Sequence, residues 1–186
     1  MGGKEAVNDE FERLYETYHH SLFQFLFYMV RNRQTAEELV QEVYIKVFNS
    51  YSSFKGDSSE KTWLYSIARH VGVDWIRSQN RKKRKVFGLF ELSEKEFQIR
   101  DEEPLPEEII LEREEMKEVY QMLGRCSLDQ QQVIILRYIE SLSISETANI
   151  LGWTESKVKT TQHRAIKTLQ DLLSTSHHSD LKEVGR

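Results

Sequence analysis

The chain of 186 residues contains one cysteine, Cys126, and two prolines, Pro104 and Pro106. A lone cysteine excludes an intrachain disulfide and fits a reducing cytoplasm, and no Cys-rich metal pattern exists. Long apolar runs are also missing. Leu22 to Val30 is the longest such stretch, Gln24 interrupts it, and it falls far short of the about 20 residues that span a bilayer. The first residues, Met1 to Ala6, have no apolar core, so no signal peptide is expected. No segment alternates with period two, and there is no internal repeat. Histidines are few and scattered. His19 and His20 are neighbours and point to different sides of a helix, His70 and His163 lie far apart, and His177 and His178 sit in a polar tail. A metal-dependent helical hydrolase would need ligands one helical turn apart, and the nearest pair is His20 with Gln24, a poor ligand. No Ser/His/Asp or paired-carboxylate arrangement exists. The expectation is a cytoplasmic non-enzyme with no cofactor, no metal and no small-molecule substrate.

What is present is charge, unevenly placed. The net charge is -4. From Glu60 to Lys85 there are eight Lys/Arg against two Asp/Glu, a net of +6; from Glu91 to Glu118 there are twelve Asp/Glu against four Lys/Arg, a net of -8. A basic block followed by an acidic one implies two surfaces with different tasks.

The most informative stretch is Ser143 to Leu173. Ser143 and Glu146 form a capping box ahead of a short helix with Ile144, Ala148 and Leu151 on one side. Gly152 is placed to stop it and Thr154 to cap a longer one. In that second helix Val158, Ala165, Leu169 and Leu172 share a face, and Lys157, Lys159, Thr160, His163, Arg164 and Lys167 make the other face basic. This is the pattern of a helix-turn-helix that enters the DNA major groove. A helical hairpin with a solvated lysine face would look similar.

Upstream, residues 9–31 read as a helix, apolar nearly all round in its second half. Thr35 and Glu38 suggest a capping box for a second helix with Leu39, Val43, Val47 and Tyr51 in line. Glu37, Glu38, Gln41, Glu42 and Lys46 lie outside that line, as a solvated face or a docking surface. Phe54 to Ser59 is a loop, and a third helix runs from about Glu60 to Arg81 into the run Arg81 to Lys85. Phe54, Trp63, Tyr65 and Trp75 are interleaved there with Lys55, Lys61, Arg69, His70, Arg77 and Arg81. Cations attract phosphates and flat rings stack on unpaired bases, so this composition suits single-stranded nucleic acid. The alternative is that one or both tryptophans are core. A linker is placed at residues 86–105, a helix from Pro106 to Leu123, and a third capping box at Ser127 and Gln130. The fold class is all-α: a helical bundle over 1–85, the acidic linker, a helix-turn-helix domain over 106–175, and a polar tail over 176–186 expected to be disordered.

Three motifs in this order, AEELVQEVYIKVF, FKGDSSEKTWLYSIARHVGVDWIR and SISETANILGWTESKVKTTQHRAIKTL, resemble the extracytoplasmic-function sigma factors of the bacterial sigma-70 family. The resemblance covers nearly the whole chain outside the linker and tail. It implies a specificity subunit that partners core RNA polymerase and promoter DNA. By position it places Glu38, Leu39, Gln41, Glu42 and Lys46 on the polymerase-binding helix. It places Phe54, Lys55, Gly56, Ser58 and Ser59 in the loop that holds a base of the melted -10 strand, with Lys61, Arg69, His70 and Arg77 on the helix behind it. Ser156, Lys157, Lys159, Thr160, His163 and Arg164 match the face that reads the -35 duplex. Two departures stand out: His70 where relatives often carry Asn, and Thr161-Gln162 where they commonly carry Arg-Leu. An anti-sigma factor, anchored in the membrane, is implied as the regulator. The competing function is a helix-turn-helix regulator that binds duplex DNA without polymerase.

Overall fold

The computed structural model describes residues 2–54, 56–87 and 116–183. Seven α-helices carry the described residues: α1 (Gly2–Val30), α2 (Arg33–Ser50), α3 (Glu60–Phe87), α4 (Met116–Leu123), α5 (Leu128–Ile134), α6 (Ile144–Leu151) and α7 (Glu155–Glu183). There is no strand among them. The chain divides into two units, one built on α1, α2 and α3, the other on α4, α5, α7 and most of α6.

In the first unit the three helices pack on one another. Phe25 through Val30 are all buried, as the apolar second half of α1 demands. The Phe25 ring meets the buried Tyr65 of α3 edge-on at 5.2 Å. Gly72 lets α3 approach, because a Cβ there would stand 3.1 Å from Leu26 Cδ2 and 3.2 Å from Met29 Cε. Between α1 and α2 the chain turns on two residues. Arg31 takes the left-handed region (φ 60) and Asn32 caps α2, its Oδ1 accepting from the Thr35 N–H at 2.8 Å. The cap is therefore Asn32, not Thr35. Thr35 falls inside the first turn of α2, and Glu38 accepts instead from Gln34 Nε2 at 3.1 Å. Both residues are competent caps, and the backbone reversal at Arg31 selects the earlier one.

His19 stacks on Tyr15 at 4.4 Å and faces Tyr44 at 6.0 Å. Burial first, and the neighbouring His20 second, hold its pKa below the ordinary value. The unfolded chain therefore takes up this proton at a higher pH than the folded chain does. The stability involved is fully present above about pH 6.5 and is lost as pH falls through the lowered folded value. Melting temperature should accordingly drop more between about pH 7.5 and about pH 5.5 in the wild type than in His19→Phe, which keeps a ring but cannot titrate. Equal drops would exclude His19 as a source of acid sensitivity.

The second unit follows its caps closely. Ser127 and Gln130 form the reciprocal capping box of α5, and Ser143 and Glu146 form that of α6, at 2.8 and 3.1 Å. Gly152 (φ 65) closes α6 with the Trp153 N–H on Ala148 O at 2.9 Å. Thr154 caps α7 through the Lys157 N–H at 3.2 Å. Helix α7 packs across α5 and α4, and Gln130 Nε2 reaches Thr168 Oγ1 at 3.2 Å. Val133, Ile135, Leu136, Val158 and Ala165 are fully buried. Cys126 is buried too, and burial pushes its thiol up to about 11, so the thiol is a core group.

Two boundaries differ from the sequence reading. Helix α3 runs to Phe87, so the first residues of the expected linker are helical. The rest of that linker, and the expected helix from Pro106 up to 115, lie outside the described residues. Helix α7 continues to Glu183, so 176–183 are helical rather than a disordered tail. Neither glycine nor proline occurs between Gly152 and Gly185 to break it.

Candidate functional site

Three surfaces carry the residues singled out by the sequence. The first lies where the loop before α3 meets that helix. A short 3-10 turn, Tyr51–Ser53, leads into Phe54, whose ring lies 4.8 Å from that of Trp63 at 30°. Tyr51 approaches Trp63 edge-on at 6.1 Å. Ser53, Phe54, Asp57, Ser58 and Trp63 line a cleft. Gly56 turns the loop in the left-handed region (φ 74) with open space around it. The start of α3 is held from the side by Arg13 of α1, whose Nη2 meets Glu60 Oε1 at 2.6 Å. This cleft joins two half-buried rings to an acid and two hydroxyls, a combination that stacks a flat heterocycle and reads its polar edge.

The expected members of this site do not all meet there. Phe54 and Ser58 line the cleft. Ser59 does not: its Oγ accepts from the Thr62 N–H at 3.1 Å and so caps α3. Trp63, His70 and Arg77 are spaced by seven residues, so they form one row with a drift of about 20° per step. His70 is exposed, two turns beyond Trp63, and its Nδ1 lies 2.6 Å from Ser66 O. It extends the row and does not line the cleft. Arg77 and Arg81 are exposed further along. Lys61 and Arg69 leave this row. At about 100° per residue Lys61 sits on nearly the opposite side of α3, with its ammonium 5.5 Å over the Tyr65 ring, and Arg69 is half-buried on a flank. Lys55 lies outside the described residues. Ser53 carries no signal in the sequence, and Trp63 is ambiguous there because its spacing also fits a core position.

The second surface is the outer face of α2. Glu38, Gln41, Glu42 and Lys46 are exposed, with Lys46 and Glu42 paired at 3.3 Å. Leu39 is 4% exposed and belongs to the core, so it cannot touch a partner directly. In its place the structure presents Ile45 and Phe48, 62% and 56% exposed. They stand one and two turns after Gln41, and Phe48 meets Phe11 edge-on at 5.7 Å. The result is an apolar centre rimmed by carboxylates, the layout of a protein-docking surface. Ile45 and Phe48 fall outside the apolar line of α2, and that was the available signal.

The third surface is α7. Ser156, Lys157, Lys159, Thr160, His163 and Arg164 are all exposed, while Val158 and Ala165 are fully buried behind them. The helix therefore offers a continuous polar and cationic face. The Lys157 ammonium sits 3.6 Å over the Trp153 ring, which holds that charge at the start of the helix. Lys159 pairs with Glu155 at 3.9 Å, and both are well exposed, so the pair is weak and exchangeable.

His20 and Gln24, the nearest candidate metal pair, are engaged with each other at 2.7 Å. No group of three potential metal ligands comes together among the described residues, and no described helix is long and apolar enough to cross a membrane.

Comparison with known proteins covers both units of the chain. Residues 14–82 match Sigma-70 region 2 and residues 116–169 match Sigma-70, region 4. The chain is 50% identical over 164 residues to the extracytoplasmic-function RNA polymerase sigma factor SigX of Bacillus subtilis, covering 88% of this chain and 84% of that one. It is 33% identical to the RNA polymerase sigma factor YlaC of the same organism, over 92% and 96% of the two chains. Among solved structures, the sigma factor RpoE in complex with the anti-sigma factor NepR from Bartonella quintana matches with a TM-score of 0.69 at 25% identity, over 89% of this chain and 97% of that one. CnrH in complex with the cytosolic domain of CnrY shares the fold, with a TM-score of 0.65 at 21% identity. With both region matches in order and half of the aligned residues shared with SigX, the chain belongs to the extracytoplasmic-function sigma factors of the sigma-70 family.

Proposed function

We propose that this protein directs core RNA polymerase to its promoters by dividing the task among the three surfaces. The outer face of α2 docks on polymerase, with Ile45 and Phe48 as its apolar centre and Glu38, Gln41 and Glu42 as its rim. The cleft of Phe54, Ser58 and Trp63 holds a base of the melted -10 strand, and His70, Arg77 and Arg81 follow the backbone beyond it. The exposed face of α7 reads the -35 duplex. In this reading the first unit, the acidic linker and the second unit correspond to 1–85, 86–105 and 106–175. The chain carries out no chemistry itself and works in the cytoplasm. An anti-sigma factor controls it, a reading supported by the similar sigma factor RpoE, which is found in complex with the anti-sigma factor NepR, and membrane anchoring of that partner would hold the pair at the inner face.

The observation that carries this reading over a duplex-only regulator is the aromatic cleft at the start of α3. A regulator of intact duplex has no use for a site that stacks an unpaired base. Run-off transcription from genomic promoter fragments tests it. Core polymerase should initiate at specific fragments only when this protein is added. Tight sequence-specific duplex binding by the protein alone, with no stimulation of core, would establish the regulator instead.

For α7 the expected result is graded. Alanine at a base-reading residue among Lys157, Lys159 and Arg164 should cost about 1–3 kcal/mol and relax specificity, and alanine at a phosphate contact should weaken all sites alike and lower the salt slope by about 1. A triple alanine variant whose holoenzyme binds the promoter as wild type would remove α7 from the interface.

A further inference from the structure

Helix α5 does not end as it begins. Ile135–Ile139 widen into a π turn, with the Glu140 N–H on Ile135 O at 2.9 Å, and Ser141 follows in the left-handed region at φ 56. Such widened turns cost regular hydrogen bonding and are found where side chains must be re-aimed. Here the turn carries Arg137 and Tyr138. Arg137 Nε donates to Gln162 Oε1 of α7 at 3.1 Å, and Arg137 Nη1 donates to Leu142 O just before α6. Gln162 Nε2 donates to the Tyr138 hydroxyl oxygen at 3.0 Å. One guanidinium thus ties the entry to α6 to the flank of α7, and both ends of the Gln162 amide are fixed. Gln162 is half-buried, on the side of α7 that faces its own unit, next to Val158 and Ala165. An apolar side chain there would close the contact by packing alone, which tolerates small rotations. Two directional bonds, one of them charge-assisted, do not.

We propose that Gln162 is a positioning residue for duplex recognition, setting the rotation of α7 about its axis through Arg137 and Tyr138. The proposal rests on the reading of α7 as the -35 helix. Its leverage is geometric. On a helix about 10–12 Å across with its side chains, a turn of about 20° moves a side-chain tip by about 2 Å, enough to break a hydrogen bond to a base edge. Lys159, Thr160, His163 and Arg164 would all shift together, while phosphate attraction, being long-ranged, would persist.

The test uses the full chain with core polymerase on a promoter recovered by run-off transcription, and on the same fragment with each -35 base pair replaced singly. Gln162→Leu should lower the ratio of transcription on the intact to the substituted fragments by about tenfold, the scale of one lost base contact. Tyr138→Phe, which removes one oxygen, should lower it several-fold. The double variant should match Gln162→Leu, because the shared bond is already gone. The salt dependence of binding should not move. Unchanged ratios in both single variants overturn the proposal, as does a fall in melting temperature without a change in ratio. Should Gln162→Leu fail to fold, Tyr138→Phe alone decides. A wild-type protein indifferent to every -35 substitution would also overturn it, and that outcome is distinguishable because the -35 reading itself would then have failed.

Discussion

Ile45→Asp should abolish binding to core polymerase and leave the melting temperature of the chain near that of the wild type; Leu39→Ala should do the reverse. The two positions lie six residues apart on α2 and are both aliphatic, yet Leu39 is 4% exposed and Ile45 is 62% exposed. Truncating a buried leucine removes packed methylenes and leaves a cavity, at a cost of about 2–5 kcal/mol of stability. Ile45 stands in water, so a carboxylate there costs the free protein little. In a complex, that carboxylate would be desolvated at the apolar centre of the patch, with Glu38 and Glu42 already on its rim. Central interface residues contribute at least about 2 kcal/mol, about 30-fold in affinity, and a buried unpaired charge adds to the loss. Competition binding to core polymerase together with thermal melting reads both effects. Wild-type affinity in Ile45→Asp would show that this face of α2 does not dock on polymerase.

The second large effect is expected at Trp63. Trp63→Ala removes the ring against which Phe54 lies at 4.8 Å and opens one wall of the cleft. Stacking of a base on an aromatic side chain is worth about 1–3 kcal/mol, so the lifetime of the open complex should shorten by roughly 5- to 150-fold. Trp63 is half-buried, and part of the change will be lost stability. Two companions separate the parts. Trp63→Phe keeps a stacking surface and should retain most of the lifetime. Ser59→Ala removes the cap of α3, at about 1 kcal/mol of stability, and should leave binding of a -10 single strand unchanged. A Trp63→Ala holoenzyme that holds the open complex as long as the wild type would place the base elsewhere on α3.

The same pair of rings shows how far sequence reading extends here. Interleaved aromatics and cations pointed to the loop and to α3, and periodicity put Trp63, His70 and Arg77 in one row. Whether Trp63 was core or cleft remained open, because one spacing serves both. The contact of Phe54 with Trp63 resolves it, and it depends on how the 3-10 turn Tyr51–Ser53 delivers the loop. Caps behaved in the same way. Ser127 and Ser143 were legible because each has a Gln or Glu three residues on that closes a reciprocal capping box, and Thr154 because it follows the stop at Gly152. Thr35 lost to Asn32 because two competent caps stood close together, and the turn at Arg31 chose between them.

Local chemistry alone determined the all-helical class, the main helices, the stop at Gly152, and the division of α7 into a buried line and a cationic face. These follow from side-chain period and from backbone preferences that act within a few residues. Only the tertiary structure decided that Leu39 is core while Ile45 and Phe48 are surface, and that Gln162 meets Arg137 and Tyr138. Each of these depends on the angle at which one helix meets another, or on contacts between residues up to 25 positions apart. A helical period gives a face its direction, but what lies opposite that face is set by packing.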